Sequence, residues 1–197
     1  MKKGWIIAII VVAVLGIWTY SSLKGTYNSM VTLSEKVDGQ WAQVENVYQR
    51  RADLIPNLVE VVKGYAGHEK ETLEGVINAR AKATSVNIDA NNLNAQSFAQ
   101  FQQAQEGLTG ALSRLMVVVE KYPDLKANQN FLELQAQLEG TENRITVERQ
   151  KFNEETKGYN TYIKLFPKNM LAGLFGFESK PYFSAQAGAE TAPKVSF

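Results

Sequence analysis

The chain has 197 residues, of which 21 are Lys or Arg, 20 are Asp or Glu and none is Cys, for a net charge of +1. Balanced charge argues against a nucleic-acid-binding protein, which usually carries a basic surplus, and the lack of Cys excludes disulfides, thiol catalysis and thiolate metal sites. Helix formers dominate and no segment alternates polar and apolar residues, so the composition predicts an all-α fold with one domain.

An apolar run at the N-terminus predicts a membrane anchor. Residues 5–23 carry no charge and would span about 28 Å as a helix, close to the hydrocarbon core of about 30 Å. Trp5 at one end and Trp18 with Tyr20 at the other suit the boundary between lipid and water. We therefore interpret this run as a single transmembrane helix in contact with membrane lipid, preceded by a short basic segment at 1–4.

The alternative interpretation of this run is a cleaved signal peptide. The run is slightly too long for one and lacks an Ala-x-Ala cleavage motif, which favours a retained anchor. Lys2 and Lys3 precede the helix, and only Lys24 follows it closely. Since basic residues tend to stay on the cytoplasmic side, this charge pattern predicts that the rest of the chain lies on the extracytoplasmic side.

A helical bundle is predicted over residues 24–166, with its first helix over 27–64. The apolar positions of this helix step by three and four residues and form a heptad seam typical of coiled coils. The seam comprises Val37, Trp41, Val44, Tyr48, Arg51, Ile55, Leu58, Val62 and Tyr65. Pro56 lies one step off the seam and removes one backbone donor, so we expect a kink that acts as a hinge rather than a helix end.

Three further helices complete the bundle. We predict a short helix at 68–83 and two long helices at 96–122 and 127–166, which have the same spacing and end at Pro123 and Pro167. Short connections make neighbouring helices antiparallel. The sequence thus predicts an elongated antiparallel four-helix bundle with coiled-coil-like seams.

The last thirty residues differ from the helices before them. An apolar segment at 167–183 is followed by an Ala- and Gly-rich stretch, residues 184–197, that we expect to be a flexible tail. The large apolar residues of the segment are Met170, Leu171, Leu174, Phe175 and Phe177. They can dock onto the bundle, enter lipid or contact a neighbouring subunit, and we predict an interface because exposed apolar patches usually mark one.

Arg51 occupies a seam position where an apolar residue is expected. A charge there must be paired or reach water. Glu148 and Glu155 occupy similar seam positions on the last long helix and are its expected partners. We predict a structural ion pair that fixes the register of the helices. The alternatives are a catalytic cluster or an Arg51 side chain that lies at the surface.

The sequence contains no recognisable catalytic constellation. His68 is its one histidine, so a zinc-protease motif that starts at His68-Glu69 and any histidine-based triad lack a necessary member. Gly-rich phosphate loops are absent as well. We expect a non-enzymatic protein with no cofactor, no metal and no small-molecule substrate.

Several short segments of the sequence form a combination of motifs that is specific enough to suggest a protein family. They are Tyr27-Asn28, residues 41–46, residues 50–59 (RRADLIPNLV), residues 65–69, Ala79-Arg80-Ala81, residues 142–145, Phe152-Asn153, Tyr159-Asn160, residues 166–177, Pro181-Tyr182-Phe183 and residues 193–197. Together they resemble the LemA family of bacterial membrane proteins. The resemblance implies an N-terminal membrane helix followed by an antiparallel helical bundle. It implies no activity, because the family has no agreed biochemical function. Genes of this family often accompany a gene for a membrane metallopeptidase, which implies an accessory role.

The sequence therefore predicts a membrane-anchored, non-enzymatic helical scaffold or adaptor of the bacterial cytoplasmic (inner) membrane. It would self-associate as a homo-oligomer or bind another membrane protein, since heptad seams mediate helix pairing within and between chains. The alternatives are a ligand-binding sensor that uses the polar cluster at Arg51 and an accessory factor of a membrane protease.

Overall fold

The computed structural model describes residues 2–86, 88 and 93–184. This part of the chain contains six helices and no strand, which confirms the all-α prediction. The helices are α1 (Lys2–Ala66), α2 (Lys70–Ser85), α3 (Ala95–Val119), α4 (Pro123–Lys126), α5 (Gln129–Lys164) and α6 (Lys168–Phe175). The tail predicted at 184–197 lies outside the described residues except for its first residue.

Helix α1 joins the apolar N-terminal run to the bundle without a break. It has 65 residues and would be about 98 Å long at about 1.5 Å per residue. Two segments were expected here, at 5–23 and 27–64, but the connection stays helical and the Ser29 hydroxyl donates to the Gly25 carbonyl one turn back. Among the described residues this is the one helix apolar and long enough to cross a membrane, and its apolar stretch is unburied.

The remaining helix boundaries follow from local capping. The Asn94 side chain accepts a hydrogen bond from the Ser97 backbone N–H at 2.9 Å and starts α3, and Asn128 caps α5 in the same way. Pro123 was expected only to end the third helix. It also starts α4, because the first position of a helix needs no backbone donor.

The long helices are antiparallel. The Asn128 amide at the start of α5 donates to the Tyr65 hydroxyl near the end of α1, whereas Gln40, 25 residues before Tyr65, donates to Glu148, 20 residues after Asn128. Helix α2 folds back along α1, and α3 folds back along α2. We call the bundle end beside residues 24–30 the anchor end and the opposite end the far end.

Two apolar cores fill the bundle, and every residue of the predicted α1 seam except Tyr65 is buried. The far core is aliphatic except for Phe131 and comprises Ile55, Leu58, Val59, Val62, Ala66, Leu73, Val76, Ala83, Leu108, Ala111, Leu112, Leu115, Val119, Leu125, Phe131 and Leu138. The near core, toward the anchor end, is aromatic and comprises Met30, Val37, Trp41, Val44, Tyr48, Ile88, Leu93, Phe98, Phe101, Ile145, Phe152, Tyr159, Ile163, Ala172 and Phe183. Arg51 lies between the two cores.

Candidate functional site: a polar layer, a C-terminal strap and an apolar groove

Arg51 is the most buried charge of the described bundle, with 2% of its surface exposed. One guanidinium nitrogen, Nη1, donates to Glu142 at 2.7 Å and to the Thr109 hydroxyl at 3.1 Å. The other, Nη2, donates to the Gln105 side-chain carbonyl at 2.6 Å. Tyr48 places its ring 5.1 Å from the guanidinium carbon. These contacts tie α1 to α3 and α5 at one level, and we call them the polar layer.

The prediction named the wrong carboxylates for Arg51. Its ion pair is with Glu142, whereas Glu148 accepts hydrogen bonds from Gln40 at 2.6 Å and from Lys151 at 2.8 Å. Glu155 is half-buried and lies thirteen residues beyond Glu142, about 20 Å along the helix axis. The hydrogen bond from Lys151 is the main cause of a lowered pKa at Glu148.

The polar layer encloses a cavity too small for most ligands. The cavity has a volume of about 220 Å³ and extends from Arg51 to Arg149, whereas ligand pockets typically measure about 300–1,000 Å³. Burial raises the pKa of the Tyr48 hydroxyl, although Arg149 and Arg51 lower it. The Arg51 Nε has no hydrogen-bond partner among the described residues. The arrangement suits a water molecule beside a structural charge.

Pro56 lies inside α1 and is exposed, and the helix continues through it. A residue at this position would normally donate its backbone N–H to the Ala52 carbonyl, but proline has no such donor. Arg80 of α2 donates from Nε to that carbonyl at 2.7 Å instead. Pro56 therefore leaves open an acceptor that holds α2 against α1, and its role as a hinge stays a prediction.

The chain after α6 forms an extended strap, residues 177–184, that runs back along α5. Two asparagines one heptad apart hold it. Asn160 pairs with both backbone groups of Lys180, at 2.8 and 2.9 Å, and Asn153 pairs in the same way with Phe183. The Phe183 ring then enters the near core, 5.4 Å from the Phe152 ring. The strap thus supplies part of the core.

Lys180 of the strap also reaches α1. Its ammonium group pairs with Asp38 and donates to the Ser34 hydroxyl at 2.9 Å. Both charged side chains are mostly buried, at 13% and 15% exposed. The neighbouring Tyr159 donates its hydroxyl to the Glu178 carbonyl, and burial, followed by the charges of Asp38 and Glu178, raises the pKa of Tyr159 to about 12.

The predicted interface residues divide between two faces. Leu171 and Phe177 pack against the near core. Met170, Leu174 and Phe175 are exposed, at 66%, 75% and 46%. Phe175 also contacts the Tyr27 ring of α1. Docking onto the bundle therefore accounts for part of the set, and an interface at the exposed residues stays a prediction.

The predicted anchor residues are all exposed. Trp5 is 76% exposed, Trp18 69% and Tyr20 67%. No described residue of the bundle covers them, as expected for side chains that face lipid. Such a helix near the N-terminus is what a membrane anchor requires by length and composition.

A groove of about 550 Å³ separates α3 from α5 toward the far end. Leu112, Met116 and Leu138 give it an apolar floor, and Ser113 and Glu139 lie along its sides. The polar layer closes it at Glu142 and Thr109. It is more apolar than the cavity at the polar layer, and no described segment of the chain fills it.

Sequence reasoning missed most of the polar residues that hold the bundle together. They are Asn153 and Asn160, Arg80, Lys180 and Glu142. The described residues contain no group of three His, Cys, Asp or Glu that could hold a metal ion. One signal was available for the asparagines: each follows an aromatic seam residue of α5, at a spacing of one heptad.

Comparison with known proteins gives a matching family model and several related proteins that are longer than this chain. A model of the LemA family matches residues 40–197. The magnetosome proteins MamQ 1 and MamQ 2 of Paramagnetospirillum magneticum are each 27% identical over 213 residues, which cover 97% of this chain and 77% of theirs. Protein LemA of Metamycoplasma hominis is 22% identical over 153 residues, which cover 78% of this chain and 66% of its own length.

Proposed function

Because this chain belongs to the LemA family and its apolar N-terminal helix indicates a membrane anchor, we propose that it is a non-enzymatic adaptor of the bacterial inner membrane. The bundle contacts a helix of a second copy or of another membrane protein. It faces the extracytoplasmic side, as the lysines around the anchor suggest.

The groove between α3 and α5 carries this proposal. The groove extends over about two helical turns on each side, and Leu112, Met116 and Leu138 form its apolar floor. An amphipathic helix binds such a groove through apolar residues at positions three and four apart. The carboxylates of Glu139 and Glu142 lie at the rim, so a matching helix would present basic residues beside its apolar face.

The continuity of α1 supports the same proposal. The helix that leaves the membrane is also the central helix of both cores. A partner bound at the groove is therefore held at a fixed height above the bilayer, which is the property that an adaptor needs. A catalytic role would require a pocket of titratable groups in reacting geometry, and the polar layer instead uses its charges to join helices.

Site-specific photocrosslinking tests the adaptor role. A photoreactive residue replaces Ser113, an exposed residue of the groove wall, in the full-length protein in its native membrane. We expect a discrete adduct whose mass distinguishes a second copy from another membrane protein. The added substitution Met116→Glu should remove the adduct, because it places a charge on the apolar floor.

Arg114 provides the matched control. It is exposed and follows Ser113 on the same helix, but it points about 100° away from it around the axis and does not line the groove. A photoreactive residue at Arg114 should give no adduct of that mass. If both positions crosslink equally, or neither does while the protein is a clean monomer, the proposed role of this groove is wrong.

A further inference from the structure

Helix α6 lies at the level where α1 leaves the membrane. The Tyr27 ring of α1 packs edge-on against Phe175 at 5.1 Å and against Phe177 at 5.7 Å. Tyr27 follows the uncharged run by four residues, or about 6 Å along the helix. The headgroup layer on each side of a bilayer is about 5–7 Å thick. The α1–α6 contact therefore lies within the headgroup layer when α1 spans the membrane.

Helix α6 has one face on the bundle and one face that no described residue covers. Ala172 is buried, and Leu171 packs against the near core. On the opposite face Met170 and Leu174, one turn apart, are 66% and 75% exposed. Phe166, just before α6, is 80% exposed. Such a group of large apolar side chains is unusual on a surface that faces only water.

The charges around this face are basic. The sequence has no Asp or Glu from residue 156 to residue 177, and none from residue 24 to residue 34. Lys24 precedes Tyr27 by three residues on α1, and Lys164 is the last residue of α5. The Lys168 ammonium lies 3.7 Å from the centre of the Tyr162 ring. Lysines beside an apolar face at headgroup level are attracted to anionic lipids.

We propose that α6 is an interfacial helix that lies in the membrane surface beside the anchor. Phe166, Met170 and Leu174 enter the headgroup and upper acyl region, and Lys164 and Lys168 reach anionic phosphate groups. The bundle thus has a second attachment to the bilayer and a fixed tilt. This inference goes beyond the adaptor role, because lipid contact needs no protein partner.

The absence of Cys from the chain permits a direct test by single-site labelling. Met170→Cys in the full-length protein receives an environment-sensitive fluorophore, and the protein is reconstituted into vesicles of phosphatidylcholine and phosphatidylglycerol that carry shallow nitroxide lipids. Val117→Cys is the matched control, since Val117 is 67% exposed and lies on α3 at the far end. We expect quenching at Met170 about twofold or more above that at Val117, as for a side chain about 5–10 Å deep in the interface.

Equal quenching at the two positions would overturn the inference. The inference would also be wrong if the label at Met170 were shielded from water but not quenched, because a second protein copy would then cover the face. A second arm tests the charge. Lys164→Gln with Lys168→Gln should reduce quenching at Met170 in vesicles with phosphatidylglycerol and leave it unchanged in phosphatidylcholine alone. An equal effect in both lipids would contradict the role of these lysines.

Discussion

The polar layer predicts that removal of Glu142 and removal of Arg51 have unequal effects. Arg51 is 2% exposed and Glu142 is 45% exposed. After Glu142→Ala the arginine keeps its charge at a site that is largely shielded from bulk water, whereas after Arg51→Met the glutamate is already half solvated. Loss of one partner from a fully buried pair costs about 3–5 kcal/mol. Because Glu142 is half solvated, we expect a smaller loss of about 2–3 kcal/mol for Glu142→Ala.

The Arg51→Met variant should lose only about 1–2 kcal/mol, since Glu142 is half exposed and stays solvated, and the main loss is the hydrogen bond to the Gln105 side chain. The double variant should then resemble Arg51→Met alone and be about 2 kcal/mol more stable than the sum of the single losses. Thermal unfolding followed by helical circular dichroism, on the full-length protein in detergent, measures this. Glu142→Ala should lower Tm by about 4–12 °C, at about 2–4 °C per kcal/mol for a chain of this size.

An exposed ion pair is the control. Lys63 and Glu60 are 60% and 71% exposed, so Glu60→Ala should change the free energy of unfolding by no more than about 0.5 kcal/mol. Glu148→Ala, at the carboxylate that the sequence suggested, should leave the effect of Arg51→Met unchanged. Additive losses for Arg51 and Glu142, or a larger loss for Arg51→Met than for Glu142→Ala, would refute the reasoning.

Two further predictions concern α2 and the strap. Arg80→Ala should lower the free energy of unfolding by about 1–3 kcal/mol, because it leaves the Ala52 carbonyl unpaired. The loss should be clearly smaller in a Pro56→Ala background, where the restored backbone N–H of residue 56 pairs with that carbonyl. Equal losses in denaturant titrations of both backgrounds would contradict this prediction. Because the pKa of Tyr159 is raised in the folded protein, its contribution to the free energy of unfolding is complete below about pH 10, the pKa of an unfolded tyrosine. This contribution is lost as the pH rises toward about 12. Tyr159→Phe should therefore flatten the fall in unfolding free energy over that interval, and an unchanged slope would show that Tyr159 ionises freely in the fold.

The helices of the bundle were predictable because each one buries a single stripe of apolar side chains. The three-and-four spacing identified α1, α3 and α5, and it placed Trp41 and Ile55 in the cores, since helical periodicity records which face is buried. The connection between the anchor and the bundle was less predictable. Gly25 and Thr26 suggest an interruption, but a single glycine costs only about 1 kcal/mol in a helix that continues on both sides.

The partner of Arg51 could not be predicted from periodicity. Glu142 and Glu148 lie six residues apart, about 9 Å along α5, and the vertical offset between α1 and α5 selects one of them. That offset depends on the length of α4 and on the Asn128 cap, neither of which the seam pattern reports. The strap was missed for a different reason. An extended segment held by asparagine side chains has no helical period, and the position of each α5 asparagine after an aromatic seam residue does not reveal what the asparagine binds.

The polar contacts explain how a bundle with two apolar cores selects one register of its helices. Apolar seams tolerate a shift by one heptad, because a shifted helix still presents an apolar residue to each facing position. Directional bonds do not tolerate it: Arg80 needs the carbonyl that Pro56 leaves open, and Asn160 needs both backbone groups of Lys180. Buried polar groups that fix register in this way have precedent in coiled coils. We infer that the α2–α3 hairpin and the strap are each held in place by such contacts, and that α6 is thereby held against the anchor at one height.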